Sequence, residues 1–360
     1  MADNTSNREI IECSAFDSSN YVTVAIISSS SALLSALCST TVIGLIFLLK
    51  KQSFFIQRLV LYLCLAALVN SLSIILRFYR LGDHQQSAIQ GLCITAAFID
   101  QTSMWSLFMA FTVITFTLLM AIVFHKSTVR LEWFYIVLIV FFPLTFNWIP
   151  FIDKTYGRSG AWCWIRNLNY DDNCTEHKFG AALQLAIWYI PAYILLGVLL
   201  IMYLVIVFSV VRQKFSKSTK DDEETKKLHE EVWPLLFQPI GLFILNIFPL
   251  TNRIHGTVMP DDPIYTLWIL HAIFSPLQGG YIALVYILDR ATLRRLTYNN
   301  FRAFFMNSSD AVKEYPAVDS VLTDSVGGGD SSQRPSKQTV DGAGIGDTMQ
   351  KTAYSKFNDF

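Results

Sequence analysis

Asp100 lies seven residues after Cys93, inside an apolar run. On a helix rising about 1.5 Å per residue, that places it about 10 Å deeper than the cysteine. A carboxylate at such depth is costly, so it needs a partner or a purpose. Two kinds of chemistry suit it: counter-charge for a ligand cation, or an ion pair with Arg77 or Arg80 at the end of the preceding run. Arg166, Arg253, His255 and His271 suit the opposite ligand, an anion. Exposed loop charge is the plain alternative for the first three. His271 lies within an apolar run and can instead bond a neighbouring helix. Trp105, Trp164, Trp188, Tyr189 and Trp268 can line a cavity beside these groups. Aromatic residues also collect at membrane interfaces, which is the simpler account of each ring taken singly. No zinc-ligand spacing, phosphate loop or nucleophile elbow occurs, so the residues point to binding rather than catalysis, and to no metal or cofactor.

The elements that must hold these groups are long and apolar. The chain is 52% hydrophobic and 16% charged, and the charges are confined to short connectors and the two ends. A helix needs about 20 apolar residues to cross a hydrocarbon layer of about 30 Å. Seven runs meet that length, at Val22–Leu49, Leu59–Tyr79, Leu92–Phe124, Trp133–Phe151, Phe179–Val211, Val232–Asn252 and Pro263–Leu288. His255, Asp261 and Asp262 fall in the polar connector between the last two. The expected fold is an all-α membrane protein: a polar N-terminus over residues 1–20, a seven-helix bundle over 21–289, a short amphipathic helix over 290–305 and a disordered tail over 306–360. The polar start lacks the basic residues and short apolar core of a cleaved signal peptide, so the first run is expected to act as an uncleaved anchor.

Lys and Arg set the orientation. Lys50, Lys51, Arg58, Lys126, Arg130, Arg212, Lys227, Arg290 and Arg294 share one side, whereas the other side carries fewer. The C-terminus is therefore expected in the cytoplasm and the N-terminus outside. Asn4 and Asn173 head glycosylation tripeptides on the expected outer side. Of six cysteines, Cys38 and Cys64 lie within spans as packing residues. Cys13, Cys93, Cys163 and Cys174 lie outside, where disulfides persist, and four cysteines allow three connectivities. Cys93–Cys163 is the first expected pair and Cys13–Cys174 the second. Over 290–305, Leu293, Leu296, Phe301, Phe304 and Phe305 share a face among arginines, the pattern of a basic helix on the inner leaflet. Between spans five and six, Glu223 and Lys227 are four apart, a spacing that supports a helix continuing into the cytoplasm; a solvated loop is the alternative.

Proline inside a membrane helix frees a carbonyl and weakens the helix locally. Pro234 and Pro249 do so in span six and Pro276 in span seven, next to Gln278 and Gly279. These five residues are the expected switch. Several function classes fall away. No internal repeat supports an inverted-repeat transporter, and spans four to seven are almost uncharged at mid-depth, against a transporter or channel. No lysine occurs between Lys227 and Lys313, which excludes a retinal Schiff base in span seven. A net charge of zero argues against nucleic acid. An orphan scaffold without a ligand remains as an alternative.

Several short motifs occur in order along the chain. They are Ala161-Trp162-Cys163-Trp164-Ile165, Trp233-Pro234-Leu235, Pro249 with Asn252-Arg253-Ile254, and Pro276-Leu277-Gln278-Gly279 with Val285-Tyr286. Together with seven spans, an outside N-terminus, a cysteine pair joining span three to the second outer loop and a basic helix after span seven, they resemble a G-protein-coupled receptor. The acidic-Arg-Tyr and Asn-Pro-x-x-Tyr motifs of the rhodopsin-like class are absent. The motifs are more similar to the cAMP-receptor-like receptors of slime moulds and their fungal and animal relatives, with a secondary likeness to secretin and adhesion receptors. The resemblance covers about Val22 to Phe305 and implies a multi-pass plasma-membrane receptor. It implies an extracellular ligand, for which the residues themselves offer Asp100, Trp105, Trp164, Arg166, Tyr189, Arg253, Trp268 and His271 as candidate contacts. A heterotrimeric G protein would then dock on Lys126, Arg130, Arg212 and Lys227, and kinases and arrestin-like proteins would act on the tail.

Overall fold

The structure is a computed structural model, and it describes residues 18–78, 87–159, 162–169, 175–216, 236–259 and 263–288. Asn4, Cys13, Arg80, Asn173, Cys174, Lys227 and Pro234 lie outside the described residues, as do the expected cytoplasmic extension of span five, the amphipathic helix over 290–305 and the tail.

Among the described residues, seven helices form one bundle. They are α1 (Ser18–Leu48), α2 (Phe55–Phe78), α3 (Ser87–Ile122), α4 (Val129–Phe151), α5 (Lys178–Arg212), α6 (Phe237–Val258) and α7 (Tyr265–Leu288). Every backbone N–H and C=O in a bilayer must be satisfied within the protein, which long helices achieve. Six of the seven are long and apolar enough to span by composition alone. The exception is α6, which carries Gln238, Asn246 and Asn252 as buried residues on its inward face. These polar side chains point into the bundle rather than at lipid, and they dilute the apolar signal.

Helix α3 is the axis. It touches α2, α4, α5 and α6, and the ring closes where α7 packs on α1. Trp105, Phe108, Phe111, Ile114 and Leu118 of α3 are almost fully buried against Leu59 and Leu63 of α2, Leu199 of α5 and Ile282 of α7. One end of the bundle carries Lys50, Lys126, Arg130 and Arg212 and is called the basic end below. There both nitrogens of the Arg58 fork bond Glu132 at 2.6 Å, and Tyr62 adds a third bond at 3.1 Å, joining α2 to α4. At the opposite end, two short antiparallel pairs lie in the loop between α4 and α5: β1 (Tyr156–Ser159) with β2 (Trp162–Ile165), and β3 (Leu168–Asn169) with β4 (Thr175–Glu176).

Two expectations need correction. The apolar pattern puts span six at Val232–Asn252, but the described helix runs from Phe237 to Val258, and residues 232–235 lie outside the described residues. His255 therefore belongs to α6 and not to a connector. Arg253 sits on the same helix, held in position, because Asn252 and Arg253 continue the inward face that Asn246 and Pro249 begin.

Two helices contain one π-helical turn each, Val137–Phe141 in α4 and Leu185–Tyr189 in α5. Each turn lies just before a proline, Pro143 and Pro191. Proline supplies no N–H for the carbonyl four residues back, and a widened turn absorbs the mismatch. In α5 the widened turn presents Trp188 and Tyr189.

Candidate functional site

The site lies at the end of the bundle where β2 covers α3. Cys93 of α3 and Cys163 of β2 form a disulfide, with Cα atoms 5.3 Å apart. Of the three possible connectivities, this establishes the expected first pair. Residues two apart on a strand share a face, so Trp162 and Trp164 flank Cys163 on the opposite face from its bonded sulfur. The Gln184 amide of α5 donates to the Ile165 carbonyl at 2.7 Å and ties the far end of β2.

Each tryptophan then meets a different helix. Trp162 stacks on His271 of α7 with ring centres 5.0 Å apart, and on Trp268 at 6.0 Å. His271 is bonded in turn to Asn252 of α6 at 3.1 Å. Trp164 meets Trp188 and Tyr189 of α5 edge-on, at 6.3 and 5.9 Å. The Arg253 guanidinium of α6 lies over the Trp164 ring, 4.8 Å from its centre. The Trp164 indole N–H donates to the Gln101 side-chain carbonyl of α3. An indole nitrogen can only donate, so the Gln101 carbonyl must face Trp164 and its NH2 faces away. That NH2 is buried, with no protein partner among the described residues.

Asp100 forms the floor. It pairs with Arg77 of α2, and Asn70 and Ser73 donate to the same carboxylate oxygen at 3.0 and 3.3 Å. Of the two roles open to Asp100, the ion pair with Arg77 is the one observed. Three donors around one buried acid offset much of its desolvation.

Together these groups line a partly open cavity of about 90 Å³. Asp100, Trp164, Tyr189, Arg253 and His271 line it, as the sequence suggested. Trp105, Arg166 and Trp268 are not in its lining. Trp105 is buried one layer below, edge-on to Trp188 at 5.4 Å. Arg166 leaves β2 toward the loop and bonds the Lys154 carbonyl at 2.7 Å. Trp268 backs Trp162 from behind. Trp188, also expected among the cavity rings, lines it too, and so do Arg77, Gln101, Trp162 and Asn246, which sequence reasoning did not place in a ligand site. Gln101 follows Asp100 directly, and Pro191 marks the bulge that presents Trp188, so part of the signal was there. Both Pro249 and Pro276 line the cavity as well.

The remaining switch residues sit deeper. Gln278 is buried, and Gly279 meets α1, its N–H donating to Ser35 Oγ at 2.9 Å. A Cβ on Gly279 would fall 2.0 Å from Ser39 Oγ and 2.5 Å from the Ser35 carbonyl. Only glycine fits this approach of two helices. At the basic end Lys126, Arg130 and Arg212 are all exposed.

The crystal structure of squid rhodopsin shares the fold, with a TM-score of 0.60 at 12% identity over 93% of this chain and 92% of that one. At that identity the likeness concerns the fold alone. No curated protein matches the chain in sequence. A sequence profile described as the slime mold cyclic AMP receptor does match it, over residues 14–314. That match runs through all seven helices and the loop that covers the cavity, and the chain is a multi-pass membrane protein of the slime mold cyclic AMP receptor family.

Proposed function

We propose that this chain is a receptor that carries an extracellular ligand signal to a heterotrimeric G protein. The observation that supports it best is the cavity itself. One wall is fixed to α3 through the disulfide, while the other holds Pro249 and Pro276, the weak points of α6 and α7. A ligand between a fixed wall and a bendable one has a direct means of favouring one helix arrangement over another. Pockets that hold drug-sized ligands measure about 300 Å³ or more, against about 90 Å³ here, so a ligand of that size gains contacts by parting the helices.

In this reading the disulfide end is extracellular and the basic end cytoplasmic, as the Lys and Arg distribution suggests. Arg77 and Arg253 beside flat aromatic walls suit a small anion with a planar ring. The family's name makes cyclic AMP the first ligand to test. Lys126, Arg130, Arg212 and Lys227 form the docking face for the G protein, and the Ser- and Thr-rich tail receives kinases and arrestin-like proteins. The glycosylation tripeptides at Asn4 and Asn173 fit the same orientation.

The test is binding of radiolabelled cyclic AMP to membranes containing the wild-type chain, Arg253→Ala and Lys126→Ala. The reading predicts saturable binding, weakened by Arg253→Ala and untouched by Lys126→Ala. Equal loss in both variants, or no saturable binding at all, would count against this cavity as the cyclic AMP site.

A further inference from the structure

Below the cavity, α6 and α7 touch through one tightly fitted contact. The Tyr281 phenol of α7 donates to the Phe237 carbonyl in the first turn of α6, at 2.5 Å. Its ring lies flat against Gly241, one turn further along. A Cβ on Gly241 would fall 1.8 Å from Tyr281 Cε1, 2.1 Å from Cδ1 and 2.3 Å from Cζ. The ring thus occupies the space that any other residue at 241 would need. Neither residue belongs to the cavity lining.

The weak points of both helices lie on the cavity side of this contact. Pro249 interrupts α6 twelve residues beyond Phe237, a lever of about 18 Å at the usual helical rise. Pro276 sits in a 3₁₀ turn, Ser275–Leu277, five residues before Tyr281. A bend of about 10° at Pro249 moves Phe237 by about 3 Å on that lever. That displacement exceeds the length of the hydrogen bond it would have to stretch.

We propose that Tyr281 and Gly241 form a bolt that holds the basic end of α6 against α7, and that this bolt must open before α6 can swing. Opening is then a discrete event rather than a gradual drift, because the phenol either reaches the Phe237 carbonyl or leaves it. The bolt rests on packing alone; its part in signalling rests on the receptor reading above. Deleting the phenol oxygen removes one bond, and filling the Gly241 notch prevents the ring from seating.

The experiment is hydrogen–deuterium exchange, followed by mass spectrometry, on the full chain in lipid nanodiscs. No ligand and no G protein are needed. Peptides covering residues 237–248 of α6 are compared with residues 103–118 of α3. Tyr281→Phe should raise exchange in the α6 peptide by about fivefold, the weight of one ordinary hydrogen bond, and leave α3 unchanged. Gly241→Ala should raise it further. If Gly241→Ala does not fold, Tyr281→Phe decides alone. Wild-type exchange in the α6 peptide of folded Tyr281→Phe would overturn the bolt, and so would an equal rise in α3. In a parallel assay of basal nucleotide exchange on a G protein, both variants should be faster than wild type. Faster α6 exchange with unchanged nucleotide turnover would leave the bolt standing and count against the receptor reading instead.

Discussion

The Arg253 guanidinium lies 4.8 Å from the centre of the Trp164 ring, joining α6 to the strand that the disulfide fixes on α3. Trp164 is buried and also donates its N–H to Gln101. One side chain thereby connects a static helix, a loop strand and a helix with a proline weak point. Replacing Arg253 with Met removes the cation and keeps much of the stem. The expected cost is about 1–2 kcal/mol of stability, the usual worth of a desolvated cation–π contact. Thermal unfolding in detergent measures it. A variant as stable as wild type would mean that the contact carries no energy.

The disulfide holds the lid of the cavity. Cys163→Ala should cost about 2–5 kcal/mol and lower surface expression. Peptide mapping under non-reducing conditions should recover Cys93 and Cys163 as one linked pair. Recovery of both as free thiols would contradict the geometry.

Asp100 and Arg77 are a buried pair, and removing one partner strands the other. Asp100→Ala should destabilise by about 3–5 kcal/mol, because Arg77 keeps its charge and loses its acceptor. The double variant Arg77→Met with Asp100→Leu should recover most of that loss, since a well-packed apolar pair costs little. Equal destabilisation in the single and double variants would show that the pair's charges are not what matters.

Gly279 marks a close approach of α7 to α1. Gly279→Ala should destabilise by about 1–3 kcal/mol, as overpacking does. Adding Ser39→Ala should recover only part of this, because the Ser35 carbonyl is backbone and cannot be trimmed. Full recovery in the double variant would locate the clash at Ser39 alone.

Much of this was legible in the sequence because apolar length is a strong signal. All seven helices fall within a few residues of the apolar runs except at α6, where inward polar residues and Arg253 resemble a connector when read linearly. The sequence could name Asp100 and His271, since polar groups within spans are costly, and Trp164, Tyr189 and Arg253, since rings and a cation near one end of the spans suit a ligand. It could not tell which of these rings share a cavity. That depends on the phase of each helix, and the π-helical turn before Pro191 shifts that phase in α5. Trp105 shows the limit: one layer down on the same helix, it has the right type at the wrong depth. Gly241 and Tyr281 are invisible in sequence, because a glycine declares its partner only when two helices are seen together.

The central claim is that the cavity and the basic end are energetically linked. Linkage is reciprocal: whatever factor the ligand adds to G-protein affinity, the G protein must add to ligand affinity. The direct measurement is a cyclic AMP titration of the full chain in nanodiscs, with and without a nucleotide-free heterotrimeric G protein. The account predicts tighter cyclic AMP binding with the G protein present, and return to the lower affinity when a non-hydrolysable GTP analogue releases it. One affinity throughout, or no binding in either condition, would contradict it.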